Sequence, residues 1–109
     1  MTDRTMKQGD TYKPLVVELG STDPGFDLTD AVSVTLRMRR YDKAVYVTGT
    51  MVVQDASTAT YDWEAADTAE DGTYDVEVEV DWGLGRIETF PNDGYAQIAL
   101  DEELDDPTP

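Results

Sequence analysis

Residues 70–82, EDGTYDVEVEVDW, alternate between apolar and acidic side chains with a period of two. Successive side chains of a β-strand point to opposite faces of its sheet, so this period predicts a strand with two chemically different faces. The apolar face carries Tyr74, Val76, Val78, Val80 and Trp82, and the acidic face carries Asp75, Glu77, Glu79 and Asp81. The stretch therefore predicts a sheet that covers a core with one side and turns a row of carboxylates outward.

Similar alternation of β-branched and aromatic residues occurs along most of the 109-residue chain. It predicts seven strands, at 13–19, 32–39, 45–53, 59–63, 73–82, 86–90 and 95–100. Turn-forming residues separate these segments, and GLG before Arg86 is short enough for a hairpin loop. Only WEAADTAED has room for a helical turn. Short strands and turns in one small chain predict a single all-β domain over residues 1–109, an antiparallel sandwich with loose ends at about 1–5 and 102–109.

The phase of the strands also predicts the core. Its members are expected to include Val34, Leu36, Val76, Val78, Val80, Trp82 and Ile98. Residues 27–29 are expected to turn the chain into the strand that begins at Val32, with Leu28 closing one end of the sandwich. Pro91 has no N–H to donate, so it is expected to end a strand before a turn at residues 92–94. The alternative for FPNDGY is an exposed aromatic loop that contacts a neighbour or a sugar.

The Asp-Gly turn before Tyr74 resembles the strand entrance of immunoglobulin-like domains, where a tyrosine bonds back to the preceding corner. In such a domain Tyr74 would be that corner tyrosine, and Val76 would occupy the inward position two residues later. The resemblance implies an antiparallel immunoglobulin-like β-sandwich of about seven strands. A plain turn followed by a core tyrosine is the alternative interpretation.

Composition excludes several kinds of chemistry. The chain has no cysteine and no histidine, so disulfides, thiolate nucleophiles, Cys/His zinc sites and Ser-His-Asp triads are all excluded. No apolar run approaches the length of a membrane span, and the opening residues lack the apolar core of a signal peptide. We therefore expect a protein made in the cytoplasm of its host, with no membrane partner, no cofactor, no metal and no catalytic residues.

Acidic residues dominate the charge of the chain. Twenty-four acidic residues oppose eight basic ones, which gives a net charge of −16. Such a field repels nucleic acid phosphates, so nucleic acid is not expected as a partner. Aspartate outnumbers glutamate by 16 to 8, and there are only three lysines. A surface of this kind stays soluble in concentrated salt, which predicts a halophilic source, with an ordinary acidic protein as the alternative.

Four segments form an ordered series over about residues 7–104: KQGDTYKPLVVEL, FDLTDAVSVTLRMR, YDWEAADTAEDGTYDVEVEVDW and IETFPNDGYAQIAL. This series is similar to the small all-β domain of structural proteins of tailed viruses, including the N-terminal domain of the phage baseplate upper protein family. That family usually carries a long downstream region, whereas this chain stops at Pro109. A receptor-binding or fibre-bearing role is therefore not carried over.

The resemblance implies a non-enzymatic virion protein of a tailed virus that infects a halophilic archaeon, as a small tail or baseplate component. Its partners would be other virion proteins and copies of itself, and its location would be the virion. The alternatives are a capsid decoration or head-surface protein of the same virus, and a carbohydrate- or receptor-binding module. A calcium-dependent adhesion domain is a further alternative, because STDPGFD and DEELDD are rich in oxygen ligands.

Two charged groups are candidates for a protein–protein contact. The basic group is Arg37, Arg39, Arg40 and Lys43, and the acidic group is Asp75, Glu77, Glu79 and Asp81. A ring built head to tail needs two different patches that meet, and opposite charges would steer that contact. The alternative is that the arginines neutralise carboxylates within their own sheet. Trp63 and Trp82 would be candidates for stacking a sugar, but their phase places both on the apolar side.

Overall fold

The computed structural model describes residues 4–19, 25–40, 46–91 and 96–101, which form nine strands and two short 3-10 helices. The strands are β1 (Arg4–Lys7), β2 (Leu15–Glu18), β3 (Ser33–Arg40), β4 (Tyr46–Thr50), β5 (Val52–Val53), β6 (Thr58–Tyr61), β7 (Gly72–Asp81), β8 (Ile87–Phe90) and β9 (Ala96–Asp101). The 3-10 helices are Leu28–Asp30 and Ala65–Thr68. Within these ranges there is no helix that is long and apolar enough to cross a membrane. The predicted all-β class is confirmed.

The strands form two sheets. The larger sheet has the order β1-β9-β7-β3-β4, with β8 also paired to β7, and the smaller sheet has the order β2-β6-β5. β1 runs parallel to β9, and every other described pair is antiparallel. Apolar side chains from both sheets belong to one core cluster.

Strand β7 is the centre of the larger sheet. On one side it pairs with β3 over eight positions, from Ser33 opposite Asp81 to Arg40 opposite Tyr74. On the other side β9 pairs with its first half and β8 with its second half. The strand predicted at residues 73–82 therefore organises the whole sheet, because the other five strands take their register directly or indirectly from it.

The core follows the predicted phase of the strands. Six of the seven residues expected there are buried: Val34, Leu36, Val76, Val78, Val80 and Ile98. Trp82 is only partly buried and packs against the edge of the core, because the strand ends there. Leu28 is fully buried, which agrees with its predicted place at the end of the core. Trp63 is also buried and stacks edge to face on Tyr61, with ring centroids 5.4 Å apart.

Local hydrogen bonds fix the turns that the sequence predicts. The hydroxyl and the backbone N–H of Thr29 donate to Asp27, at 2.6 and 2.9 Å, and these bonds lower the pKa of the Asp27 carboxyl. The GLG hairpin is closed by the N–H of Trp82 donating to the carbonyl of Arg86 at 2.8 Å. Leu84 has a φ of 56° between two glycines with positive φ, so the tip of this hairpin is a left-handed turn.

Two buried tyrosines, Tyr61 and Tyr74, form hydrogen bonds to the connection between β6 and β7. The Tyr74 hydroxyl donates to the Glu70 carbonyl at 3.0 Å, which is the back-bond that the turn before it predicts. The Tyr61 hydroxyl donates to the Asp67 carboxylate at 2.6 Å. Burial and the negative charge of Asp67 raise the pKa of the Tyr61 hydroxyl above its usual range. The predicted helical turn in WEAADTAED is the 3-10 helix between these two contacts.

The segment predicted as one strand at 45–53 is two strands in different sheets. The chain crosses from the larger to the smaller sheet at Met51, which is buried and whose N–H donates to the Val34 carbonyl at 2.8 Å. Just before this crossing, Gly49 faces the ring of Tyr61 so closely that no Cβ would fit without moving the ring. The sequence pattern is strand-like on both sides of Met51, so the pattern did not predict that the chain changes sheets there.

Strand β1 was not predicted, and it overlaps the end expected to be loose at residues 1–5. Arg4 and Thr5 pair with Ile98 and Ala99 of β9, so this part of the end is ordered. RTMK has only one β-branched residue, which explains why it lacked a strand signal. Residues 1–3 and 102–109, and the turn expected at 92–94, lie outside the described residues.

The strand phase predicts that Val78→Asp prevents folding. Val78 is 3% exposed in the centre of β7, so the substitution buries a carboxylate among apolar side chains. We expect loss of the cooperative thermal transition measured by circular dichroism. Val32→Asp is the matched control, because Val32 is 71% exposed and its variant should melt close to the parent. A soluble Val78→Asp protein with the parent's transition would contradict the assigned phase.

Candidate interaction face

The outer face of the larger sheet brings together the charged residues that the sequence nominated. Asp75, Glu77, Glu79 and Asp81 all lie on this face, opposite the core side of β7, and all four are partly buried. Arg37 and Arg39 of β3 are exposed on the same face. In the register of the two strands Arg37 is opposite Glu77 and Arg39 is opposite Asp75. The acidic row and the two arginines therefore form one continuous surface, which we call the charged face.

Neighbouring strands and the hairpin after β7 supply partners for three of the four carboxylates in the acidic row. Arg37 contacts Glu79 across the diagonal, with Nη2 and Oε1 3.5 Å apart. Gln97 of β9 donates to Asp75 at 3.3 Å, and the Asp81 carboxylate accepts the N–H of Gly83 at 2.8 Å. The last bond caps the hairpin that follows β7. The row of carboxylates thus serves the sheet itself as well as facing outward.

Arg40 does not share this surface with the other two arginines. It follows the inward phase of β3, and its guanidinium lies over the backbone at Gly72, where a Cβ would come within 2.8 Å of Nε. Its side chain therefore lies against the start of β7 and not on the face of Arg37 and Arg39. Lys43, the fourth member of the predicted basic group, lies outside the described residues.

This arrangement bears on the two interpretations of the charges. Head-to-tail contact needs two separate patches, whereas Arg37 and Arg39 lie beside the acidic row on adjacent strands. The Arg37–Glu79 contact is a direct instance of neutralisation within one sheet. The head-to-tail contact remains a prediction, whereas two charged faces that met each other would form a two-fold contact instead.

A cavity of about 550 Å³ opens beside β2. Its walls come from both sheets and are mostly apolar, with Arg4 and Glu18 as the charged residues among those described. The apolar members include Leu15, Val17, Val78, Phe90 and Ile98. β2 is an edge strand of the smaller sheet as described. The cavity therefore runs along a strand edge between the two sheets, and no pattern in the sequence identified it.

A second cavity, of about 340 Å³, lies at the hairpin end of the domain. It is lined by Gly25, Phe26, Asp30, Trp82, Arg86 and Glu88. Phe26 meets Trp82 edge to face at 5.7 Å between centroids, and the indole N–H of Trp82 donates to Glu88 at 3.3 Å. Trp82 was named from the sequence as a sugar-stacking candidate, and the structure gives it polar neighbours that the sequence did not identify.

The structure gives less support to the calcium site and to the sugar-stacking role of Trp63 that the sequence suggested. In the ranges that the structure describes, no group of three or more acidic, histidine or cysteine residues is placed to hold a metal ion. Most of STDPGFD and DEELDD falls outside those ranges. Trp63 is buried, so its ring is not available to stack a sugar.

No known protein family, curated protein or solved structure was found to match this chain. The geometry of the charged face and of the two cavities is therefore the basis for proposing a function.

The charged face predicts that Arg37→Glu with Arg39→Glu destabilises the isolated domain. The two new carboxylates would lie opposite Glu77 and Asp75, and the contact with Glu79 would be lost. Exposed pairs are each worth about 0.2–1 kcal/mol, so we expect a drop of about 1–2 kcal/mol in the free energy of unfolding measured by urea titration.

Adding Glu77→Arg and Glu79→Arg to that double variant should recover part of the loss, because opposite charges again face one another at the pair of positions 37 and 77, whereas position 39 still faces Asp75. Thr48→Glu is the control, since Thr48 neighbours Arg37 on β4 and faces no carboxylate across the β3–β4 pair. Unchanged stability in the arginine double variant would show that the arginines do not neutralise their own sheet.

Salt should stabilise the domain if its surface is adapted to a halophilic environment. Alternate carboxylates on β7 lie about 7 Å apart, a separation that is poorly screened in dilute salt and well screened near 1 M. We expect the melting temperature to rise by several degrees between about 0.1 M and about 2 M KCl. Glu77→Gln with Glu79→Gln should reduce this rise. A flat or falling melting temperature would remove the inference of a halophilic source.

Proposed function

We propose that this chain is a non-enzymatic structural protein of a tailed virus, a small component of its tail or baseplate. The ordered series of segments over residues 7–104 supports this proposal, because it extends over nearly the whole domain. The excess of aspartate over lysine supports a virus that infects a halophilic archaeon. The protein acts by making contacts with other virion proteins and with copies of itself.

We further propose that the two sheets form an immunoglobulin-like β-sandwich of the variable type. Such domains have nine strands, with five in one sheet and four in the other, and a corner tyrosine near the start of a central strand. The order β1-β9-β7-β3-β4, with β8 also paired to β7, and the order β2-β6-β5 support this proposal, as does the bond from the Tyr74 hydroxyl to the Glu70 carbonyl. Val76 is buried two residues later, where antibody domains have a cysteine.

The observation that carries the structural role is the apolar cavity beside β2. The N–H of Leu19 donates to the carbonyl of Ser57 at 2.7 Å, so alternate residues of β2 direct their backbone groups toward β6. Val16 and Glu18 are the intervening residues. Their backbone N–H and C=O groups therefore point away from β6, toward the outside of the sheet. An apolar cavity beside such an edge fits an extended strand from a neighbouring protein.

The occupant that we propose is a strand of another virion protein with apolar residues at alternate positions. Its backbone would bond to Val16 and Glu18, while its inward side chains would meet Val78, Phe90 and Ile98. A contact of this kind holds a subunit by main-chain bonds and selects its partner by side-chain pockets. The charged face, which belongs to the other sheet, would set the orientation of the partner more than the affinity.

The same contacts would serve a head-surface or decoration protein equally well. Antibody labelling of intact particles, viewed by electron microscopy, distinguishes the two positions. Label on the tail or baseplate supports the proposal, whereas label on the capsid surface supports the alternative. Absence of the protein from purified particles would contradict both.

Val16→Arg is expected to keep the protein out of the particle. Val16 lines the cavity and is 57% exposed, so an arginine there leaves the fold intact and obstructs an incoming strand. Val52→Arg is the matched control, because Val52 is also 57% exposed and is likewise opposite Thr60, but on the far strand of the same sheet.

Both variants would be supplied to a virus that lacks the gene, and the protein in purified particles would be measured by immunoblot. We expect at least a tenfold loss for Val16→Arg and none for Val52→Arg, with equal melting temperatures for the two isolated proteins. Incorporation of Val16→Arg at the parent level would place the contact elsewhere on the domain.

A further inference from the structure

We infer that the cavity at the hairpin end of the domain binds a neutral sugar residue. This cavity is separate from the cavity beside β2 and from the charged face. Its six lining residues combine an aromatic corner with two carboxylates and a guanidinium. At about 340 Å³ it lies near the lower end of the range for ligand pockets, which is about 300–1,000 Å³, so a single sugar ring is the appropriate size.

The aromatic corner comes from Phe26 and Trp82. Their rings meet at 82°, and Phe26 also packs edge to face on Phe90 with centroids 5.6 Å apart. These contacts hold both rings in place while each still borders the cavity. A sugar ring presents C–H groups on its faces, and these pack on aromatic surfaces as other apolar groups do.

The polar side of the cavity comes from Asp30, Arg86 and Glu88. Carboxylates accept hydrogen bonds from hydroxyl groups and the guanidinium donates to hydroxyl oxygens, so both functions of a sugar hydroxyl are met. Bonds of this kind, with one charged partner, are stronger than bonds between neutral groups. The mixture of donors and acceptors beside an apolar corner therefore matches a polyol ring.

The charges in and around the cavity decide between neutral and charged ligands. Two carboxylates in the lining, and a net charge of −16 on the chain, oppose an anionic ligand. Arg86 in the same lining opposes a cation, although aromatic rings and carboxylates alone would attract one. A neutral ligand rich in hydroxyl groups satisfies all three charged side chains.

Hydrogen bonds in the hairpin hold the backbone of Trp82 and Arg86 in place. Trp82 donates its backbone N–H to Arg86, and Arg86 donates its own to Gly83, at 2.8 and 3.0 Å. Asp81 accepts the Gly83 N–H at 2.8 Å, which ties the turn to the end of β7. A site built on such a hairpin needs little reorganisation when a ligand arrives, which favours binding.

The test uses the full chain with Trp63→Phe, which leaves Trp82 as the only tryptophan. Its fluorescence is titrated with glucose, galactose, mannose, N-acetylglucosamine and, separately, choline chloride. Concentrations up to about 100 mM detect dissociation constants in the millimolar range. Ligand-observed NMR on the parent protein with the same five compounds gives a second measurement that does not depend on the Trp63 substitution.

We expect a saturable change with at least one sugar and none with choline. Asp30→Asn and Glu88→Gln should each weaken that binding at least about tenfold, because each replaces a charged acceptor by a neutral one. Leu84→Ser, at the 97% exposed tip of the same hairpin, is the control and should bind as the parent does.

Three outcomes would overturn the inference: no saturation by any of the sugars in both measurements, saturation by choline alone, or binding that survives both carboxylate substitutions unchanged. The result is independent of the virion proposal, since the isolated protein is used and no particle is needed. Sugar binding without virion incorporation, or the reverse, would separate the two proposals.

Discussion

The alternation of β7 is the constraint on which the rest of the structure depends. A slip of one residue in its pairing would send Tyr74, Val76, Val78 and Val80 to the outer face and four carboxylates into the core. The resulting penalty, several buried charges at once, excludes every register with β3 that is shifted by an odd number of residues. Because β8 and β9 divide its other side and β1 pairs with β9, that register is passed to the entire larger sheet.

The strands and the core were predictable from the sequence because their signals are local. The seven strands predicted from period two and turn residues cover eight of the nine described strands, with β4 and β5 predicted as one, and the turn before Tyr74 indicated a bond back to the preceding corner. The sequence could not show that Met51 carries the chain between sheets, since apolar alternation continues through it. Phase also placed Trp82 in the core, whereas it lies at the strand end, where the sheet no longer covers it.

The surfaces were less predictable than the core because they depend on which strands become neighbours. The acidic row and the arginines were both visible in the sequence, but their adjacency follows from the β3–β7 pairing. The cavity beside β2 joins residues from distant parts of the chain, as does the cavity of Phe26, Trp82 and Glu88. These three surfaces have different chemistry, so the proposed strand addition and ligand binding would use places separate from the charged face.

The parallel pairing of β1 with β9 has a mechanical consequence. The strand nearest the start of the described chain and the strand nearest its end lie side by side and point in the same direction, with Arg4 opposite Ile98 and Lys7 opposite Asp101. Tension applied between the front of β1 and the back of β9 pulls the two strands along their common axis. The bonds between them then share the load in shear and must break together, whereas antiparallel neighbours pulled at one end open one bond at a time. A domain joined at these two ends would resist stretching best along this axis.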